Sequence, residues 1–205
     1  RRAVITYSLI AVNVLVFAYE VILSTQGGIE DFIGAYALVP RDITAGLHLH
    51  TLLTAMFLHG GFMHILGNML YLHIFGDNIE DIMGPKRFII FYVMAGLAAS
   101  LLQIYVDPTS NIPNLGASGA IAGVLGAYLI MFPRAKVHTI VFFGYFIRWV
   151  RLPAVIVLGF WFIIQLFSGI GNLTQSAVDS GGVAFFAHVG GFIAGMVLVF
   201  FFKKR

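Results

Sequence analysis

Four side chains that can do chemistry lie in stretches of the chain that are otherwise apolar. Ser118 stands in the run G-A-S-G, His188 in A-H-V-G-G, and His64 and Asn68 are four residues apart. A serine hydroxyl becomes a nucleophile when a neighbouring base, most often histidine, takes its proton. The oxyanion of acyl transfer needs hydrogen-bond donors, and the backbone N–H of Ser118 and the side chains of His64 and Asn68 are candidates. The set predicts acyl-transfer chemistry.

The composition indicates an integral membrane protein. Of the 205 residues, 60% are hydrophobic and 10% are charged, and the mean hydropathy is +0.94. A soluble domain of this size could not bury so much apolar surface. The net charge of +3 does not indicate a nucleic-acid partner, because the basic residues lie at the ends of apolar segments. Without cysteine, disulfides and thiolate chemistry are excluded, and no cofactor or metal is expected.

Six apolar segments predict an all-α membrane protein, a six-transmembrane-helix bundle in a single domain that covers 1–205. Segment lengths of roughly 17–22 residues suit helical spans and not barrel strands. With six spans, the basic residues fall on one side apart from Arg41, so both termini are predicted to be cytoplasmic. The predicted segments are 4–24, 57–75, 87–106, 117–132, 152–170 and 184–202.

This topology places the four polar residues at a similar depth. The second, fourth and sixth segments run from outside to inside, and His64, Asn68, Ser118 and His188 each lie near the start of theirs. From Ser118 to Phe132 a helix covers only ~22 Å of a hydrocarbon core of ~30 Å, so Ser118 is expected below the outer surface. Ionisable groups at such depth face the protein interior or water. A cavity wetted from outside is therefore predicted.

Small residues predict that the fourth and sixth segments touch. Glycines follow one side of the fourth segment, and others share a face of the sixth with His188, so the backbones could approach and bring Ser118 towards His188. No acidic residue is placed to orient His188, which predicts a Ser–His dyad whose imidazole is held by packing. The glycines are Gly119, Gly123 and Gly126 in the fourth segment and Gly191 and Gly195 in the sixth.

Each feature alone has a more ordinary explanation. Glycine and serine in an apolar helix are more often packing than catalysis, an intramembrane histidine can be a proton relay, and His59 is interpreted as a cap or interface residue. A second hypothesis is a small transporter or proton channel with a relay of His64, Asn68 and His188. The lack of internal repeats and of a paired acidic residue in mid-membrane counts against it.

Four motifs together resemble the rhomboid family of intramembrane serine proteases. They are H-G-G-F-M-H-I-L-G-N at 59–68, G-D-N-I-E-D-I-M-G at 76–84, G-A-S-G at 116–119 and A-H-V-G-G-F-I-A-G at 187–195. Their order and spacing cover most of the chain. The resemblance implies that Ser118 is the nucleophile and His188 the general base. It also implies that His64 and Asn68 help to form the oxyanion hole and that Glu80 ties down a cytoplasmic turn.

The resemblance further implies a lateral gate at the fifth segment and a cap from the loop before the sixth. Family members cleave transmembrane helices of other membrane proteins near their outer ends. The expected partners are such substrates and the lipid bilayer, with no nucleic acid, and the oligomeric state stays open. We expect a multi-pass protein of a prokaryotic plasma membrane with an extracytoplasmic site. A non-catalytic relative would usually have lost the serine or the histidine, and both are present.

Two positions depart from the family pattern. His50-Thr51 stands where many rhomboids have Trp-Arg, and Ala122 stands where an aromatic residue often packs on the histidine. The smaller residue leaves the imidazole less supported unless another ring, such as Phe185 or Phe186, replaces it. Neither change removes a chemical group, so activity is still expected.

Several stretches outside the set also carry expectations. The outer stretch 25–54 is expected to fold on or partly into the outer leaflet, and the apolar run 139–147 to be an interfacial or re-entrant piece. The acidic cluster 77–81 is expected to be solvated or paired with nearby basic residues. Gln165 is expected to make an interhelical hydrogen bond, and Trp161 is interpreted as a core or lipid contact.

Overall fold

Helices make up most of the chain, as the hydropathy pattern predicts. The computed structural model describes residues 3–143, 146–172 and 184–204. A 3-10 turn at Ala55–Phe57 lies between the fourth and fifth helices of the chain. The elements are α1 (Val4–Gln26), α2 (Ile29–Tyr36), α3 (Pro40–Thr44), α4 (Thr51–Thr54), α5 (Phe62–Met83), α6 (Pro85–Val106), α7 (Ser118–Met131), β1 (Lys136–Phe143), β2 (Phe146–Pro153), α8 (Ala154–Asn172) and α9 (Phe185–Phe202).

Within the described residues, four helices are long and apolar enough to cross a membrane, namely α1, α6, α8 and α9. They match the first, third, fifth and sixth predicted segments. The fourth, α7, is apolar but has only 14 residues, about 21 Å of helix. The predicted bounds of the second were wrong, since α5 begins at Phe62 and continues to Met83. Six spans therefore stay a prediction for α5 and α7.

Glu80, at the polar end of α5, is hydrogen-bonded to the start of α1. Glu80 is only 3% exposed, and its carboxylate accepts hydrogen bonds from the N–H groups of Ile5 (3.0 Å) and Thr6 (2.8 Å) and from the Thr6 hydroxyl (2.8 Å). N–H groups in the first turn of a helix have no partner within that helix. Glu80 thus caps α1, and the expectation that it is solvated or paired with a nearby basic residue was wrong.

A second buried carboxylate, overlooked in the sequence, ties α1 to the loop before α5. Glu20 accepts the backbone N–H of His59, at 3.2 and 3.3 Å to its two oxygens. His59 is buried, and neither of its ring nitrogens has a hydrogen-bond partner among the described residues, so its side chain is not a cap. Its position at the membrane interface stays a prediction. Its ring packs against His64 with 5.1 Å between centroids. The Glu20 carboxylate therefore helps to position the loop that precedes His64.

The α7 helix lies at the centre of the structure, and residues 119–128 are all buried. The α9 helix packs against it backbone to backbone. A Cβ atom added at Gly191 would overlap the carbonyl oxygen of Gly119, and one added at Gly195 would overlap that of Gly123. The predicted contact between these two glycine faces is confirmed.

The stretch between α1 and α5 packs on the loop that precedes α7. Leu38 and Asn114 exchange backbone hydrogen bonds of 3.0 and 2.7 Å, and the Arg41 N–H donates to the Ser110 carbonyl oxygen at 3.1 Å. His50, at the position where the family pattern has Trp-Arg, reaches the carbonyl oxygen of Ala35 at 2.9 Å. These hydrogen bonds hold the stretch against the protein. Its expected position on or partly in the outer leaflet stays a prediction.

Residues 136–143 and 146–153 form two antiparallel strands, and the expected interfacial or re-entrant placement of 139–147 stays a prediction. Lys136 pairs with Pro153 at one end of this strand pair, and Phe143 pairs with Phe146 at the other. The run is rich in β-branched and aromatic residues, which favour strands when a partner strand follows. This strand pair departs from the all-α prediction.

Candidate active site

The backbone before Ser118 prevents α7 from starting earlier. Gly116 has φ +126°, a conformation that residues with a Cβ rarely adopt, and its N–H donates to the Ala55 carbonyl oxygen at 2.8 Å. Ser118 is therefore the first residue of α7, where its N–H has no partner within the helix. The hydroxyl and the N–H of Ser118 therefore lie together at the start of the helix.

The packing of α7 against α9 brings Ser118 and His188 into hydrogen-bond contact. The Ser118 Oγ lies 2.9 Å from His188 Nε2. This distance lies within the range that a general base needs to take a proton from a hydroxyl. The two residues are 70 positions apart in the chain, so the contact depends on the tertiary structure.

The imidazole of His188 has further contacts from α8. Its Nδ1 lies 2.7 Å from Gln165 Oε1, and the Trp161 ring packs against it with 5.8 Å between centroids and 36° between planes. The predicted interhelical hydrogen bond of Gln165 is confirmed. Another ring does contact the imidazole in place of the missing aromatic residue, but it is Trp161 and not Phe185 or Phe186. The Cβ of Phe185 and the ring of Phe186 lie against Gly169, further along α8.

His64 and Asn68 approach the same place from α5. Nδ1 of His64 accepts the Gly60 N–H at 3.4 Å, which leaves Nε2 as the donor of a neutral ring. The ring lies over Gly116, since a Cβ there would come within 2.8 Å of Nε2. Asn68 is 8% exposed, and its Nδ2 has no hydrogen-bond partner among the described residues. Two donors are thus free to bind an oxygen.

All four residues line one cavity of about 720 Å³. Its other walls are largely apolar, so a chain segment that enters it would meet a hydrophobic surface with a small polar centre. Such a cavity suits an apolar ligand with a polar group to be oriented. The apolar wall includes Met63, Ile121, Ala122, Leu125 and Trp161.

The structure does not test every expectation about the site, and it adds contacts that were not predicted. Most of the loop that was expected to cap the cavity, namely 173–183, lies outside the described residues. In the described part of the chain, no group of three or more His, Cys, Asp or Glu side chains could hold a metal ion. The direct contacts of Gln165 and Trp161 with His188 were not predicted. Their four-residue spacing, which puts both on one face of a helix, was the available signal.

Comparisons with known proteins agree on one family. The Rhomboid domain model matches residues 47–205, more than half of the chain. "Rhomboid protein 1, mitochondrial" of Saccharomyces cerevisiae is 29% identical over 205 residues, which are 98% of this chain and 54% of that protein. "Rhomboid protease GluP" of Bacillus subtilis is 30% identical over 193 residues, which are 93% of this chain and 33% of that protein. The chain thus spans about half or less of the length of these relatives.

Proposed function

This chain belongs to the rhomboid family, and on that basis and the geometry of its site we propose that it is an intramembrane serine endopeptidase. The observation that carries the proposal is the 2.9 Å contact between Ser118 Oγ and His188 Nε2 inside an apolar cavity. Ser118 is the nucleophile and His188 the general base.

The reaction proceeds by acyl transfer. His188 Nε2 takes the hydroxyl proton as Ser118 Oγ attacks the scissile carbonyl carbon, and the imidazolium then protonates the amine that leaves. An ester between Ser118 and the N-terminal half of the substrate remains. Water attacks this ester while His188 accepts its proton, and the released products are a carboxylic acid and the free serine.

The oxyanion of each tetrahedral intermediate is bound from two helices. The Ser118 N–H comes from the start of α7, and the Asn68 Nδ2 and the His64 ring come from α5. The support is that Nδ2 of Asn68 has no other partner in the described structure, and that His64 lies over Gly116 beside the serine. Donors fixed before the reaction need no reorganisation when charge develops.

The proposed substrates are transmembrane helices of other membrane proteins, cut near their outer ends. The apolar wall of the cavity supports this, as does the α7 helix, whose 14 residues cover about 21 Å of a hydrocarbon core of about 30 Å. We propose one domain with six spans, both termini in the cytoplasm and a site open to the other side. The chain is an integral, multi-pass membrane protein. Its placement in a prokaryotic plasma membrane stays a prediction, since its relatives include both a mitochondrial and a bacterial protein.

The transporter hypothesis is not favoured. A relay of His64, Asn68 and His188 gives Ser118 no role, whereas the hydroxyl is hydrogen-bonded to the imidazole. Family membership also points to the protease.

Two substitutions test the proposal in proteoliposomes that contain a transmembrane reporter. Ser118→Ala and His188→Ala are each expected to abolish cleavage, while Ser24→Ala on α1 and His73→Ala on α5, both exposed, should cleave like the wild type. A fluorophosphonate probe should label the wild type and not Ser118→Ala. Wild-type cleavage by either site variant would refute the assignment. A folded wild type that neither cleaves nor reacts would favour the transporter.

A further inference from the structure

The α8 helix contacts the imidazole of His188 on the side away from Ser118, with two residues one helical turn apart. Gln165 Oε1 is 2.7 Å from Nδ1, and the Trp161 ring packs against the imidazole. Gln165 is only 9% exposed, although an amide inside an apolar helix is costly to bury without a partner. We propose that Gln165 is a positioning residue that accepts the Nδ1–H of His188, an inference that rests on the proposed function.

The hydrogen bond selects one tautomer of His188. A neutral imidazole carries a hydrogen on one nitrogen and a lone pair on the other. With Nδ1–H donated to Gln165, the lone pair lies on Nε2, 2.9 Å from the Ser118 hydroxyl. The opposite tautomer would point an N–H at the hydroxyl and leave the serine without a base. Gln165 therefore holds the tautomer and orientation of the histidine with a neutral amide oxygen, as the aspartate carboxylate does in a Ser-His-Asp triad.

The positioning group comes from a different helix than the dyad. Contact between α7 and α9 brings the two reactive residues together, but it does not determine which ring nitrogen carries the hydrogen. Gln165 and Trp161 both belong to α8, so one helix supplies both the acceptor and the aromatic wall. The position of α8 thus decides whether the base is oriented.

Two substitutions separate the acceptor from the volume of the side chain. Gln165→Leu removes the acceptor, and we expect kcat to fall about 10- to 100-fold with KM within about 2-fold, because the interaction acts on the base and not on substrate binding. Gln165→Glu keeps an oxygen at the same place and should retain several-fold more activity than Gln165→Leu. Equal kcat for Gln165→Leu and the wild type, or equal loss in both variants, would overturn the proposal.

Gln103 on α6 provides a matched control. Its Oε1 accepts the N–H of Ala187 at 3.2 Å, so it binds the backbone of α9 one residue before His188 without touching the ring. Gln103→Leu should therefore keep kcat within about 2- to 3-fold of the wild type. A fall in kcat as large as that of Gln165→Leu would show that losing either amide acts through the packing of α9. It would overturn the role proposed for the contact between Gln165 and the imidazole.

A spectroscopic measurement tests the tautomer of His188 without a substitution at Gln165. In protein labelled with ¹⁵N-histidine in detergent micelles, the His188 signals are assigned by their absence in His188→Ala. We expect the chemical shifts of a ring protonated at Nδ1, and an Nε2-protonated ring would overturn the proposal even if Gln165→Leu failed to fold.

The outcomes also separate this inference from the proposed function. If the wild type cleaves the reporter and Gln165→Leu has the same kcat, only the role of Gln165 fails. If the wild type neither cleaves nor reacts with the fluorophosphonate, the proposed function fails, and the nitrogen shifts still show whether Nδ1 carries the hydrogen.

Discussion

The Glu80 carboxylate accepts hydrogen bonds from both the backbone N–H and the hydroxyl of Thr6, each at 2.8 Å. Glu80 lies at the end of α5 and Thr6 in the first turn of α1, so a residue far from Ser118 holds the first helix against the helix that carries His64 and Asn68. Stability and catalysis are therefore expected to respond to different substitutions.

Glu80→Gln should destabilise the protein by about 1–3 kcal/mol, because hydrogen bonds to a buried charge are replaced by weaker ones. The measurement is thermal unfolding of the purified protein in detergent. Asp81→Asn is the control, because Asp81 is exposed and its side chain takes no part in the cap. An equal loss of stability in both variants would mean that the cap contributes nothing specific.

Asn68→Ala should lower kcat about 10²-fold, since it removes one donor from the oxyanion. Labelling of Ser118 by a fluorophosphonate should persist, because His188 still activates the hydroxyl. Asn78→Ala, on the same helix, removes an amide bonded locally to Asp77 and Ile74 and should leave turnover unchanged. If Asn68→Ala turned over at the wild-type rate, Asn68 would not bind the oxyanion.

Trp161→Ala should reduce kcat about 3- to 10-fold, because ring contacts contribute about 0.5–1.5 kcal/mol and this one supports the imidazole. Phe162→Ala is the matched control, since Phe162 stacks on Phe192 of α9 at 4.8 Å and not on His188. It should lower stability while sparing kcat. The same fall in kcat for both variants would show a general effect of loosening α8.

Gly191→Ala should destabilise the protein by about 1–3 kcal/mol and reduce cleavage, because the added methyl group would overlap the Gly119 carbonyl oxygen and push α9 from α7. Gly159→Ala on α8 adds the same group where nothing lies within 4 Å. That variant should be as stable as the wild type or gain about 0.5–1 kcal/mol from helix propensity. Unchanged unfolding and cleavage in Gly191→Ala would contradict the close contact.

Much of the fold could be predicted because hydropathy and glycine spacing are local properties. The bounds of α1, α6, α8 and α9 follow from apolar runs, and the start of α7 at Ser118 follows from the glycine and proline before it. The pairing of 136–143 with 146–153 was missed because a strand depends on its partner segment. Glu80 was misjudged because its partner, Thr6, lies 74 residues away.

By itself, the sequence determined that this is a membrane protein, because composition can be read without the fold. It also identified Ser118, His64, Asn68 and His188, because each lies in a short motif whose spacing is visible in the sequence. The tertiary structure alone decided what surrounds His188. Gln165 and Trp161 meet its ring only because α8 packs beside α9 at one particular rotation. Side-chain contacts between helices depend on that rotation, and no local pattern along either helix specifies it.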